Sequence, residues 1–497
     1  MFFSEFAPPR MRIASLAQQA RMPALPGASR TQVLHVLKMT YLTILIIYAA
    51  AMIALSIIVA RRSKNSSDFF VAGRGLGAGL IATTLLAANI GAGSTIGATG
   101  LGYRIGLQAW WWVGAAGIGS LLLAFTIAPK IWRIARDNNL YTVGDYLEFR
   151  YSKSVRGLAS ALLWIGSLII FAGQLIGGAA LLQAVAGVNK TLGYLIAAAV
   201  VTFYFSIGGL HTAVRVNALQ LGVKLLGFGV ALAYLIYNHN PPDDATLHPL
   251  PQGFHSFTES GISTPLFYLA TFTPAFIISP GILQKVFAAR DERAVRCGVG
   301  VNAVGLLLFA IVPALLGMLA RARFPALANS ELALPTLLTN ALPFWLGALL
   351  LAAIFAAELS AADAVLFMLT TSLSKDLYKA YLHPNADDQR LMQVARLVAI
   401  GCGALGTLLA MILETVYAAL TIFYTLLTAA LFLPMIVGLY SKRVTANAAL
   451  ASMIASVGVT FAIHYASKKA GYWGVPPVMF GVVAGGLTMW CARLLRA

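Results

Sequence analysis

Glu358, Ser360 and Asp363 lie near the middle of an apolar run that begins at about Pro343 and is long enough to span a bilayer. Ionisable groups at that depth cost about 2.5–3.5 kcal/mol each on insertion scales, so they face a bundle interior or an ion path. Ser360 and Asp363 are three residues apart and share a helix face, with Ala357 one turn earlier on that face. A hydroxyl, a carboxylate and small residues that bare the backbone can together coordinate a hard monovalent cation. In the other reading, Ser360 bonds the carbonyl one turn back and the two acids pair with basic groups on neighbouring helices.

The elements that must position these groups are membrane helices. The chain has 497 residues, 59% hydrophobic and only 10% charged. Its repeated apolar runs are long enough, at 1.5 Å rise per residue, to cross ~30 Å of hydrocarbon. The fold class is all-α: a polytopic membrane protein of about 13 transmembrane helices. The net charge of +18 sits mainly in short connections between apolar runs, where it reports topology and not a nucleic-acid ligand. Cys297, Cys402 and Cys491 are widely spaced in or beside apolar segments, a pattern of packing residues that gives neither a zinc site nor a disulfide framework.

Residues 1–38 contain prolines and basic residues but no sustained apolar run, so they are expected to be a disordered or mis-called extension, with Met39 as the functional start. A leading helix and cytoplasmic loop then occupy 39–75, a ten-helix core 76–440, and two further spans 441–497. Placing Arg61–Arg74 in the cytoplasm puts most lysines and arginines inside. Arg104, Lys190, Arg321, Arg323, Lys468 and Lys469 remain outside, and the stretch 238–264 has no lysine or arginine, as an external loop should. Lys224 lies inside a span. The expected topology has the N-terminus outside and the C-terminus cytoplasmic.

Two spans read as interrupted. Ala87-Ala88-Asn89-Ile90-Gly91-Ala92-Gly93-Ser94 is too rich in glycine for an unbroken helix, and Thr273-Pro274 and Ser279-Pro280-Gly281 break a second run. With the Tyr41 run set aside as a leading helix, they are the first and sixth of the core, in register for a five-plus-five inverted repeat with two discontinuous helices. Interrupted helices in corresponding positions are the best sequence pointer to a transporter's binding site.

Several blocks, in order, carry a resemblance: Ser67-Asp68-Phe69-Phe70-Val71-Ala72-Gly73-Arg74, Gly100-Leu101-Gly102-Tyr103-Arg104-Ile105-Gly106, Phe205-Ser206-Ile207-Gly208-Gly209-Leu210, Gln284-Lys285-Val286-Phe287-Ala288-Ala289-Arg290 and Ser374-Lys375-Asp376-Leu377-Tyr378-Lys379. The chain from Tyr41 onward resembles the sodium:solute symporter family, which has the leucine-transporter type of inverted-repeat core. The resemblance implies a sodium site between the first and eighth core helices, matching Ala87, Ile90, Ala357, Ser360 and Ala361. Ala361 departs from the pattern, because the family usually has serine or threonine there, and Asp363 is a stronger hard-oxygen ligand on the same helix. Many family members look like having aspartate where Asn217 stands, so either the carboxylate has moved to Asp363, and Asp363 and Asn217 mark a second cation or proton site, or Asp363 follows a subfamily pattern unrelated to Asn217.

The implied function is a secondary active symporter that couples inward sodium flow to uptake of a small organic solute by alternating access. Coupling to protons on the same fold is the alternative. Sodium is the coupling ion and no organic cofactor is expected; the partners are the solute, sodium and the lipid of the plasma (inner) membrane, with no nucleic acid. Gly91, Gly93, Ser94, Phe276 and Ser279 are the candidate substrate-binding residues. The small ones bare backbone N–H groups that would suit a carboxylate at half-helix ends, or else permit close packing. Trp110-Trp111-Trp112 read as a membrane belt. No filter loop or charge ring suggests an ion channel, and no HExxH motif or nucleophile elbow suggests an enzyme. A reporter fused after Ala497 should read as cytoplasmic; an external reading would overturn the topology.

Overall fold

The computed structural model describes residues 30–60, 74–207, 210–238, 247–259, 261–468 and 471–494. The expected features at Arg61–Gly73, at Gly208-Gly209, at Lys469 and in the tail at Arg496 lie outside them. The first helix, α1, is Arg30–Ala60, followed by α2 at Ala78–Asn89. A π-helical turn at Gly93–Gly97 leads into α3, Ala98–Ile105. Next come α4 (Trp110–Leu122), α5 (Ala128–Asp137), α6 (Val143–Arg150), α7 (Lys153–Ala186), α8 (Lys190–Ile207) and α9 (Leu210–Tyr237). The second half has α10 (Ser263–Ile278), α11 (Pro280–Phe287), α12 (Glu292–Phe309), α13 (Ile311–Arg323) and α14 (Ala333–Asn340). It continues with α15 (Phe344–Thr371, running on as a π-helix to Leu382), α16 (Asp388–Ile412), α17 (Val416–Tyr440), α18 (Ala446–Ala466) and α19 (Pro477–Leu494).

Among the described residues ten helices are long and apolar enough to cross a membrane, and three shorter apolar helices accompany them. The helix α1 runs through residues 30–38 and past Met39 without interruption. That stretch contains no glycine or proline, so nothing in it stops a helix. The short helices α6 and α14 were not anticipated, since neither is long enough to give a membrane signal.

The packing of the helices follows the repeat. Counting α2/α3 as the first core helix and α10/α11 as the sixth, the first packs on the seventh (α12, α13) as the sixth packs on the second (α4). The third (α7) lies against the tenth (α17) as the eighth (α15) lies against the fifth (α9). The fifth also meets the first, and the tenth the sixth. Contacts that recur in this mirrored way are what an inverted repeat requires, and they make the fold a leucine-transporter type core. The α18–α19 pair packs outside it on α17.

On the side predicted to be cytoplasmic, a buried charge cluster ties α6 and α7 to the end of α15. Arg156 sits 3.0 Å from Asp145, 2.7 Å from Glu148 and 2.8 Å from Asp376, and Lys375 is 3.0 Å from Asp145. Thr142 closes the cluster by donating to Asp376 at 2.7 Å and capping α6 through Asp145. Removing one member of such a buried network leaves partners charged and unpaired, a loss of about 3–5 kcal/mol. Arg156→Ala should therefore lower the melting temperature of the purified protein far more than Arg133→Ala, whose ion pair with Glu292 is exposed. Equal effects would show the cluster to be energetically idle.

Candidate cation and solute site

The first break is a backbone problem solved locally by side chains. The hydroxyl of Ser94 accepts from the Gly91 N–H at 3.0 Å and donates to the Asn89 carbonyl at 2.8 Å. Gln174 on α7 accepts the Ala92 N–H at 3.0 Å, and the Trp112 indole donates to the Gly93 carbonyl at 3.0 Å. Gly91 and Gly93 are required by close approach: a Cβ on Gly91 would lie 2.3 Å from the Ala361 methyl, and one on Gly93 would lie 2.0 Å from Leu420. The N–H groups of Gly91 and Ala92, expected to be bare, are thus already bonded. The second break falls at Ser279, between α10 and α11, where Pro280 occupies the first turn of α11 and has no N–H to offer.

Two carbonyls of the first break point the other way, toward α9 and α15. Lys224 Nζ donates to the Ala87 carbonyl at 2.6 Å, to the Ile90 carbonyl at 3.0 Å and to Ser360 Oγ at 2.5 Å. Ser360 Oγ also lies 3.0 Å from the Ala87 carbonyl and 3.3 Å from that of Ala357. Four of the five positions matched to a sodium site therefore converge, three of them on the Lys224 ammonium and Ala357 through Ser360. Lys224 is fully buried. An ammonium has three N–H donors, and these three acceptors use them all.

Ala361, the fifth position, offers no side-chain oxygen, because its methyl packs against Gly91 and the neighbouring cavity. Asp363 is buried on α15 and interacts electrostatically with Lys285 of α11 and with Tyr204, which draws it toward a different set of neighbours from Ser360. Asn217 is buried two turns before Lys224 on α9, and its Oδ1 has no hydrogen-bond partner among the described residues. No hydrogen bond joins Asn217 to Asp363 among those residues. Glu358 is buried with neither carboxylate oxygen hydrogen-bonded there, beside Gly177 of α7, and it interacts electrostatically with Lys224.

Beside this cluster a cavity opens between the two breaks. Gly91, Gly93 and Ser94 line it from the first, and Phe276 and Ser279 from the second, so all five candidate substrate residues face one space. Gln174, Lys285, Trp112 and Tyr424 add to its wall. Trp112 is therefore a buried cavity residue and not part of a membrane belt; its ring centroid lies 4.7 Å from that of Phe272. Sequence reasoning placed Trp112 in a membrane belt, passed over Gln174, which looks like an ordinary span residue, and noted Lys224 without a role. Asn217, Gln220 and Lys224 at i, i+3 and i+7 form a polar stripe on an apolar helix, and that was the available signal.

A family model described as the sodium:solute symporter family matches residues 69–456. The chain belongs to the sodium:solute symporter family. It is 28% identical over 469 residues to the sodium/pantothenate symporter of Escherichia coli, covering 88% of this chain and 92% of that one. It is 25% identical over 474 residues to the sodium/glucose cotransporter of Vibrio parahaemolyticus, covering 85% and 84%. A solved Na+-coupled sialic acid symporter in a substrate-bound outward-open state superposes with a TM-score of 0.72 at 18% identity, covering 92% of this chain and 97% of that one, a likeness of fold. Family and relatives support sodium-coupled solute symport, and the family consists of transporters and not enzymes.

On the side opposite the charge cluster, Glu331 packs beside the start of α17, accepting from the Tyr417 N–H at 3.4 Å. Burial raises its pKa to about 6, against a smaller opposing effect of that N–H. A carboxyl raised in the folded state binds more protons folded than unfolded between its two pKa values, so its contribution to stability falls as pH rises from about 4.5 through 6. Glu331→Gln should accordingly gain stability relative to wild type at pH 7.5 compared with pH 4.5, by about 2 kcal/mol at most. Parallel melting curves for the two proteins across that range would show that Glu331 is not so placed.

Proposed function

We propose that this symporter carries a small organic solute in the cavity between the two helix breaks, exposing it to each side of the membrane in turn. The supporting observation is the convergence of Gly91, Gly93, Ser94, Phe276 and Ser279, from two breaks far apart in sequence, on one cavity. Its wall pairs an aromatic side, Trp112, Phe272, Phe276 and Tyr424, with polar groups at Ser94, Gln174, Ser279 and Lys285. A solute with an apolar body and a polar or acidic end matches that division. Relatives named for pantothenate and proline carry solutes of this general kind. Family membership supports sodium as the ion whose gradient drives uptake.

Proteoliposomes offered a panel of labelled small acids, amino acids and sugars should concentrate at least one of them, saturably, when an inward cation gradient is imposed. Phe276→Ala should raise KM for that solute roughly tenfold, the worth of about 1–1.5 kcal/mol of aromatic contact. Solutes that merely equilibrate under every gradient would refute symport, and an unchanged KM would place the solute elsewhere.

A further inference from the structure

We propose that Lys224 is a resident cation: its ammonium permanently fills the oxygen site between the first and eighth core helices, so that sodium is not a ligand there in this chain. This rests on the symporter reading only for what it means in transport, since occupancy of the site can be measured apart from uptake.

The geometry carries the inference. A sodium ion in this place would draw on the carbonyls of Ala87 and Ile90 and the hydroxyl of Ser360, and these are the three acceptors that Lys224 Nζ already contacts at 2.6, 3.0 and 2.5 Å. The ammonium has three donors and needs no fourth or fifth ligand. Position 361 fits that smaller demand, because Ala361 supplies a methyl that packs on Gly91 where a hydroxyl would complete a coordination shell for a metal ion. Sodium could enter only beside a fixed positive charge within about 3 Å, or after Lys224 had left a fully buried position.

Glu358 completes the arrangement. A lysine buried in the membrane needs a counter-charge, and the Glu358 carboxylate, itself buried and without a hydrogen bond among the described residues, is the group that acts on it electrostatically. Lys224 thus does structurally what a bound cation would do. It ties the first break to α15 and keeps two backbone carbonyls from facing apolar surroundings bare. Any sodium that drives uptake must use other oxygens.

The test is sodium binding to purified protein, read by saturable 22Na+ binding and by the shift in melting temperature between sodium chloride and choline chloride. Wild type and Ala361→Ser should show no sodium effect that Ser360→Ala abolishes. The double variant Lys224→Ala with Ala361→Ser should gain saturable 22Na+ binding and a sodium-dependent rise in melting temperature, since the oxygens are freed and the missing hydroxyl is restored. If that variant fails to fold, the wild-type and Ser360→Ala comparison still decides. Saturable binding by wild type that is lost in Ser360→Ala, a gain by Ala361→Ser alone, or a folded double variant that binds no sodium would each overturn the proposal. None of these outcomes depends on whether a solute is concentrated, so failure here is distinct from failure of the symport reading.

Discussion

Hydrocarbon offers no water to a broken helix, so every N–H and C=O released at a break must find a partner within the protein. The rest of this structure depends on how that constraint is met between Ala87 and Gly97. Ser94, Gln174 and Trp112 take the groups on the cavity side, and Lys224 and Ser360 take those on the α15 side. Each of those partners comes from the break itself or from α4, α7, α9 or α15, so the break and the helices around it can be assembled only together. Glycine at 91 and 93 then lets α15 and α17 close on the break without a clash.

A great deal of this was legible in the sequence. Glycines in one span and prolines in another mark two breaks because those residues act locally, through backbone freedom and a missing N–H. Their spacing along the chain was enough to propose the inverted repeat, which the mirrored packing of α7 on α17 and α15 on α9 bears out in the fold. Five of the residues that line the cavity, Gly91, Gly93, Ser94, Phe276 and Ser279, were found by the same local reasoning. What stayed hidden was tertiary. A lysine within a span is visible, but nothing in the sequence says that its ammonium reaches carbonyls more than 130 positions away. Asp363 shares a helix face with Ser360 by spacing, yet the neighbour that acts on it is Lys285, on a segment whose approach depends on the second break. Trp112 looked like an interfacial residue because three tryptophans in a row usually are, and only burial separates it from its two neighbours.

The charge cluster around Arg156 and the aromatic group around Trp112 and Tyr417 lie at opposite ends of the core. They hold it by different means. The first is a set of ion pairs sheltered from water, directional and intolerant of a missing member. The second is a set of ring contacts at 4.7–6.0 Å, which can slide without any one of them being lost outright.

The mirrored packing has a counterpart in the joints between halves. Where the fifth core helix meets the first, Lys224 donates to the Ala87 carbonyl; where the tenth meets the sixth, Thr428 donates to the Thr271 carbonyl at 2.8 Å. The helix pairs correspond, but the bonds do not: a charged donor contributes about 1.5–3 kcal/mol to a hydrogen bond and a neutral hydroxyl about 0.5–1.5 kcal/mol. Two halves that were chemically alike could exchange their shapes with no change in energy, leaving both orientations equally populated. Here one joint is held by a triple ammonium contact and the other by a threonine hydroxyl, so the two halves are alike in architecture and unlike in the chemistry that fastens them.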